Sequence, residues 1–163
     1  MLVYFMRHGI AEDGASMADD LRPLSAEGRE KTAQIARGMR QAGCAPVLVA
    51  TSPLARAEQT AAILAEELDV ERPPAILPCL GPGGNYAEFM NWLDHQEVES
   101  LAVVGHMPDI AEFAQRCLTG RILFSMTFKK AAVCCVEFEE EPAAGRGRLE
   151  WLMQPGQLRR LAR

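Results

Sequence analysis

Leu2-Val3-Tyr4-Phe5-Met6-Arg7-His8-Gly9 begins as an uninterrupted apolar run and breaks into an arginine, a histidine and a glycine. Such a run, with no polar alternation, reads as a strand buried in a sheet, and the triplet lies where that strand gives way to a loop. His8 is therefore a candidate reactive residue. A neutral imidazole is nucleophilic near neutral pH, and the neighbouring Arg7 guanidinium can hold phosphate oxygens in a bidentate fork. Alone, the triplet fits an ordinary structural loop equally well.

Working outward, residues 10–24 are polar, carry Asp13, Asp19, Asp20 and Arg22, and close on Pro23, which reads as a long loop. Ser25-Ala26-Glu27-Gly28 offers a helix N-cap, and Ile35 and Met39 give helical apolar spacing as far as Gly43. Val47-Leu48-Val49-Ala50 reads as a second buried strand. Ser52-Pro53 then signals a helix to about Leu68, with Ser52 as N-cap and proline at the first helical position. Ala75 to Cys79 is a third strand candidate, Gly81-Pro82-Gly83-Gly84 a loop, and Tyr86, Phe89, Met90 and Leu93 a short amphipathic helix. Leu101-Ala102-Val103-Val104 makes a fourth strand, stopped by Gly105-His106 and followed by a helix from Pro108 to about Leu118. Four alternations of strand and helix predict an α/β fold, a three-layer sandwich whose mainly parallel central sheet carries helices on both faces. Two further strands, Ala131 to Phe138 and Leu149 to Met153, bracket a turn-rich segment as a possible hairpin.

In open α/β sheets ligands bind beyond the carboxyl ends of the strands. His8 follows the first strand, Ser52 to Arg56 the second, and His106 the fourth, so one rim gathers all three. Arg56 lies about one helical turn past Ser52, within reach of an anion at the helix start. By itself Arg56 also fits a surface arginine, Ser52 a structural cap, and His106 a capping or packing residue. The remaining histidine, His95, reads as surface. Together, two histidines and two arginines on one rim make a positive site suited to a phosphate group.

A chain of 163 residues with 48% hydrophobic and 24% charged residues fits one globular domain spanning 1–163. The formal net charge of −5 argues against general nucleic-acid binding, which needs a positive field. No apolar run approaches the roughly 20 residues that span a bilayer, and the first residues lack a basic leader, so a cytoplasmic protein with no membrane partner is expected. Cys44, Cys79, Cys117, Cys134 and Cys135 form no even framework and read as buried reduced thiols, with Cys134 and Cys135 pointing to opposite sheet faces. The cluster Arg159, Arg160 and Arg163 reads as a solvated tail, or else as a place for a partner to dock.

Arg7-His8-Gly9, the run from Ser52-Pro53 through Arg56 to Thr60-Ala61, and Gly105-His106 together resemble the histidine phosphatase superfamily. Arg22-Pro23-Leu24-Ser25 and the short chain look like its SixA-like phosphohistidine phosphatase branch. The resemblance implies a phosphoglycerate mutase-like fold and a phosphatase that needs no metal or organic cofactor. It also implies that His8 accepts the phosphoryl group, that Arg7 and Arg56 bind its oxygens, and that His106 stabilises the transferring group. Arg22 matches a phosphate-site arginine of that branch, although a plain loop cation fits it too, and Gly9 and Ser52 are further substrate-binding candidates.

One departure concerns the substrate. Many relatives place a glutamate proton donor after the third strand, where this chain has Leu80-Gly81-Pro82-Gly83-Gly84-Asn85. Without a positioned acid an alcohol leaving group is expelled poorly, by a factor of about 100 or more. Glu88 and Asp109 are nearby substitutes but read better as helix-surface carboxylates. The expected substrate is thus a phosphorylated protein bearing phosphohistidine. A small phosphorylated metabolite, or a non-catalytic phosphate-recognition role, are the alternatives. A metal site built on His8, His106 and an aspartate matches no standard ligand spacing.

Overall fold

A computed structural model describes residues 1–14, 17–123 and 126–163. Within them, β1 (Leu2–Arg7), α1 (Ala26–Gln41), β2 (Leu48–Thr51), α2 (Ala55–Glu67), β3 (Ala75–Ile76), α3 (Tyr86–Asp94) and β4 (Ser100–Gly105) alternate as the pattern predicts. They are followed by α4 (Asp109–Thr119), β5 (Val133–Glu137), β6 (Arg148–Met153) and α5 (Pro155–Leu161). The sheet order is β3-β2-β4-β1-β5-β6, with β1 to β4 parallel and β5 antiparallel to both its neighbours.

The period-two alternation of strand side chains divides the core in two. Val3, Phe5, Ala50, Val103 and Cys134 pack on one face with Phe89 and Leu93 of α3 and Ile110 and Phe113 of α4. Tyr4, Met6, Val49, Val104 and Cys135 pack on the other with Ile35 and Met39 of α1, Ala61 and Leu64 of α2, and Leu158 of α5. Helices therefore cover both faces, as expected, and the adjacent Cys134 and Cys135 do point to opposite sides. All five cysteines are buried and free. No helix among the described residues is long and apolar enough to cross a membrane.

Three local expectations need correction. β3 stops at Ile76 instead of running to Cys79, because Pro78 has no N–H for the ladder and opens a single 3-10 turn over Pro78–Leu80. The basic tail is part of a helix: Pro155 occupies its first turn, Gln157 Oε1 accepts the Gln154 N–H at 2.8 Å, and Leu158 is fully buried. α5 lies so close to α1 that a Cβ on Gly38 would meet the Leu158 carbonyl oxygen at 2.0 Å. The loop predicted over residues 10–24 contains a 3-10 turn at Asp19–Leu21 and an Ala11–Leu24 bridge. Its residues 15 and 16 lie outside the described residues.

Candidate active site

The sheet register sets His8 beside His106. Arg7 pairs with Gly105 across adjacent central strands, so the next residue of each strand lies at the same level, and the His8 N–H donates to the Gly105 carbonyl at 3.0 Å. The ring centroids stand 5.0 Å apart at 47°. On the other side of β4, the Ser52 N–H donates to the Val104 carbonyl at 3.0 Å. The rim deduced from strand order is thus formed by β2, β4 and β1 as immediate neighbours.

His8 is buried, and its Nδ1 lies 2.7 Å from the Gly9 carbonyl oxygen. A carbonyl only accepts, so Nδ1 carries the hydrogen and Nε2 keeps the lone pair of the neutral ring. Burial foremost, then the neighbouring His106 and the guanidinium groups of Arg56 and Arg7, push its pKa down to about 3, against the donation to Gly9 that raises it. His106 is likewise held down at about 4, chiefly by burial and Arg56, with Asp109 and Asp19 acting in the opposite sense. Desolvation, more than the guanidinium groups that the sequence pointed to, keeps His8 unprotonated at neutral pH.

Arg7 ends β1, half-buried, with Nη1 donating to the Phe128 carbonyl at 2.9 Å. Arg56 lies in the first turn of α2 and is only 6% exposed, yet it reaches the loop after β1. Its Nη1 donates to the Asp19 carbonyl at 2.6 Å and its Nη2 to Asp19 Oδ2 at 2.9 Å. Arg22 Nη1 donates to the other carboxylate oxygen, Asp19 Oδ1, at 2.8 Å, and its Nε to the Glu12 carbonyl at 2.9 Å. One carboxylate therefore bridges Arg22 and Arg56. Hydrogen bonds from Arg56 and then Arg22 hold Asp19 below the usual carboxylate range.

Ser52 does not cap α2. Leu54 occupies the N-cap position, and the Ser52 hydroxyl, fully buried, lies 2.7 Å from His106 Nε2 while accepting the Leu54 N–H at 3.2 Å. Its place is to orient His106. Gly9 faces inward as well: its N–H donates to Thr60 Oγ1 at 3.0 Å, and a Cβ there would meet Thr32 Oγ1 at 2.4 Å. The glycine is required by close packing of α1, and its N–H is already used. Thr60 hands the connection on, its hydroxyl donating to the Arg56 carbonyl at 2.7 Å, so β1 and the first turn of α2 are held together through one side chain. His95 is remote from the rim, in the C-cap of α3.

Asp19 and Thr60 are absent from the sequence-derived set. Thr60 stands one turn after Arg56, a helical spacing that marks it in retrospect. Asp19 carries no such signal. The two acids considered as proton donors are engaged elsewhere: Asp109 Oδ2 accepts the Gly83 N–H at 3.1 Å, and Glu88 Oε1 the Asn85 side-chain amide at 3.0 Å. Among the described residues, no carboxylate is hydrogen-bonded to His8 or His106. Two buried nitrogen atoms at the rim, Arg7 Nε and His106 Nδ1, have no hydrogen-bond partner among the described residues.

Residues 3–80 match the family model of the histidine phosphatase superfamily (branch 1), which takes in His8, Ser52 and Arg56. The chain belongs to the histidine phosphatase superfamily. It is 38% identical to an uncharacterized protein of Picosynechococcus over 82% of each chain. The phosphohistidine phosphatase SixA of Escherichia coli is 29% identical over 98% of this chain and 97% of its own. A solved structure of the protein histidine phosphatase SixA complexed with tungstate superposes with a TM-score of 0.85 at 29% identity, covering 97% of this chain and 99% of that one. Fold alone does not select a substrate within the superfamily. A putative α-ribazole-5′-P phosphatase of Escherichia coli superposes with a TM-score of 0.75 at 18% identity, covering 95% and 98% of the two chains. The chain is a histidine phosphatase of the SixA-like branch with the phosphoglycerate mutase-like fold.

Proposed function

We propose that this phosphatase hydrolyses phosphohistidine on a partner protein through a covalent phospho-His8 intermediate. The observation that carries the substrate choice is that, among the described residues, no carboxylate is hydrogen-bonded to His8 or His106: Asp109 accepts the Gly83 N–H, Glu88 the Asn85 side-chain amide, and Asp19 the guanidinium groups of Arg22 and Arg56, so none is placed as a proton donor. An alcohol leaving group needs such a donor, whereas a phosphohistidine ring that carries a proton on its second nitrogen departs as neutral imidazole unaided.

In the first step the His8 Nε2 lone pair forms a bond to phosphorus in line with the breaking N–P bond, whose electron pair stays on the departing ring. The positive charge that develops on His8 is shared with the Gly9 carbonyl through Nδ1–H. Arg7 and Arg56 neutralise the equatorial oxygens, with Arg22 beside them, once the phosphoryl group takes the place of the Asp19 carboxylate. His106 lies beside the same group. The dianion favours its protonated form, against the burial that keeps it neutral in the free enzyme. In the second step water attacks phosphorus, the His8–P bond breaks, neutral His8 is restored, and the protons of water leave with dihydrogen phosphate.

The test is to mix the enzyme with a phosphohistidine-bearing protein and to trap acid-labile, base-stable phosphate on residue 8, alongside a panel of sugar and alkyl phosphates. Label on His8 and faster turnover of the phosphoprotein are expected. Preference for a metabolite, or hydrolysis undiminished in His8→Ala, overturns the proposal.

A further inference from the structure

Against α1, and reaching Ala131, whose N–H donates to the His8 carbonyl, lies a cavity of about 290 Å³ that phosphoryl transfer does not use. Ile10, Ile35, Ala131 and Pro155 give it apolar walls, and the fully buried Thr32 is among its lining residues. Lys31, Lys129, Lys130 and Arg159 ring it. The adjoining cleft between α1 and α5 adds Arg37, Arg160 and Arg163. Seven of the chain's 17 lysine and arginine residues thus share one face of a protein whose net charge is −5.

Among the described residues only two of the seven are in ion pairs, Lys31 with Glu27 and Arg37 with Glu67. Glu27 also feels Arg159. Lys129 and Lys130 are exposed, and no described acid pairs with them. Their segment is rigidly tied to the nucleophile: the Phe128 carbonyl accepts from Arg7, and the Ala131 N–H donates to the carbonyls of both Arg7 and His8 at 3.1 Å. On its far side Gln154, just before α5, receives the Lys129 N–H at 3.2 Å and donates to the Thr127 carbonyl at 3.0 Å. The backbone that carries Lys129 and Lys130 is therefore tied to the end of β1 that carries His8.

We propose that this face docks the phosphorylated partner: an acidic segment flanking the phosphohistidine lies across Lys129, Lys130 and the α5 arginines and sets one apolar side chain in the cavity. The inference rests on the proposed phosphohistidine activity and adds the surface that presents the substrate. Charge complementarity selects an acidic segment, because seven cations gather on this face of a chain whose net charge is −5. The bonds from the Ala131 N–H to the Arg7 and His8 carbonyls make this face continuous with the end of β1 that carries the nucleophile.

The test measures KM and kcat of the full chain, K129Q/K130Q and R159Q/R160Q on an acidic phosphohistidine-bearing protein and on phosphoramidate. Each double variant is expected to raise KM for the protein about fivefold with kcat unchanged, and to move the phosphoramidate values less than about twofold. Equal changes on both substrates assign the cations to the phosphoryl site and overturn the docking surface. Unmoved protein KM in both variants, with the full chain active, also overturns it and leaves the proposed activity intact. Full-chain turnover of phosphoramidate without turnover of the phosphoprotein refutes the activity itself, and the docking proposal with it. Unmoved KM together with lost binding to phosphatidylserine vesicles would give the face to a membrane instead.

Discussion

Burial of two neutral histidines side by side makes stability depend on pH in a calculable way. Both rings have folded-state pKa values, about 3 for His8 and about 4 for His106, below the 6.5 of an unperturbed imidazole. The unfolded chain therefore binds more protons than the folded one as pH falls. Their contribution to stability is fully present above about pH 6.5, declines on acidification, and levels off near pH 3 to 4 where the folded rings begin to titrate. Between pH 7 and pH 5 the folded rings stay almost unprotonated, so the loss is set by the unfolded chain alone. At about 1.4 kcal/mol per pH unit below 6.5, each histidine costs about 2 kcal/mol over that interval and the pair about 4 kcal/mol. Urea unfolding at pH 7, 6 and 5, followed by the fluorescence of Trp92 and Trp151, compares the protein with H8N/H106N, which lacks both buried rings. Carboxylate effects are common to both and cancel in the difference. The protein should lose about 4 kcal/mol more than the variant on going from pH 7 to pH 5. A differential loss under about 1 kcal/mol would refute the reasoning, since it would mean that the folded rings accept protons normally.

Three more outcomes follow from the same geometry. Long-range ¹H–¹⁵N spectra should show His8 as the Nδ1–H tautomer at both pH 7 and pH 5, and an imidazolium pattern at pH 5 would contradict the Gly9 hydrogen bond and the burial. Asp19→Asn should tighten tungstate binding about two- to fivefold by freeing Arg22 and Arg56 from an internal anion, and calorimetry showing weaker binding would count against it. Gly38→Ala should destabilise by about 1–3 kcal/mol, because its methyl group meets the Leu158 backbone, whereas Gly156→Ala, with nothing within 4 Å, should be neutral or stabilising in denaturant titrations.

The parts of the fold that were legible in the sequence are those that local chemistry dictates. β1, β2 and β4 are buried on both faces, so their residues form unbroken apolar runs, and Ser25 does cap α1, accepting the Gly28 N–H. His8 and His106 could be placed on one rim because parallel strands end at the same side, although only the strand order makes them adjacent. What escaped depends on distant partners. Ser52-Pro53 has the composition of a cap, yet a hydroxyl 54 positions from His106 is drawn to the ring instead. α5 is seven residues long, and its anchor is the single buried Leu158 against Gly38, too little for a periodic pattern. Asp19 lies in a loop with no periodicity, and its partner Arg56 is 37 positions away.

Asp19 is also where structure and chemistry constrain each other most tightly. The Asp19 carboxylate, between two guanidinium groups, gives Arg56, only 6% exposed, a counter-ion. In the proposed reaction a phosphoryl dianion, with more charge and an additional acceptor oxygen, takes its place. Once displaced, the carboxylate loses the hydrogen bonds that lower its proton affinity, at the moment when a leaving group is departing. If it then protonated that group, alkyl phosphates would be good substrates, and Asp19→Asn would slow them while sparing phosphoramidate. If it serves only as a counter-ion, alkyl phosphates are poor substrates from the outset and the variant treats both classes alike. The second pattern is expected, because Asp19 Oδ2 engages Arg56 rather than either histidine, and the side chain is 64% exposed, where an ordinary carboxyl group is ionised at neutral pH.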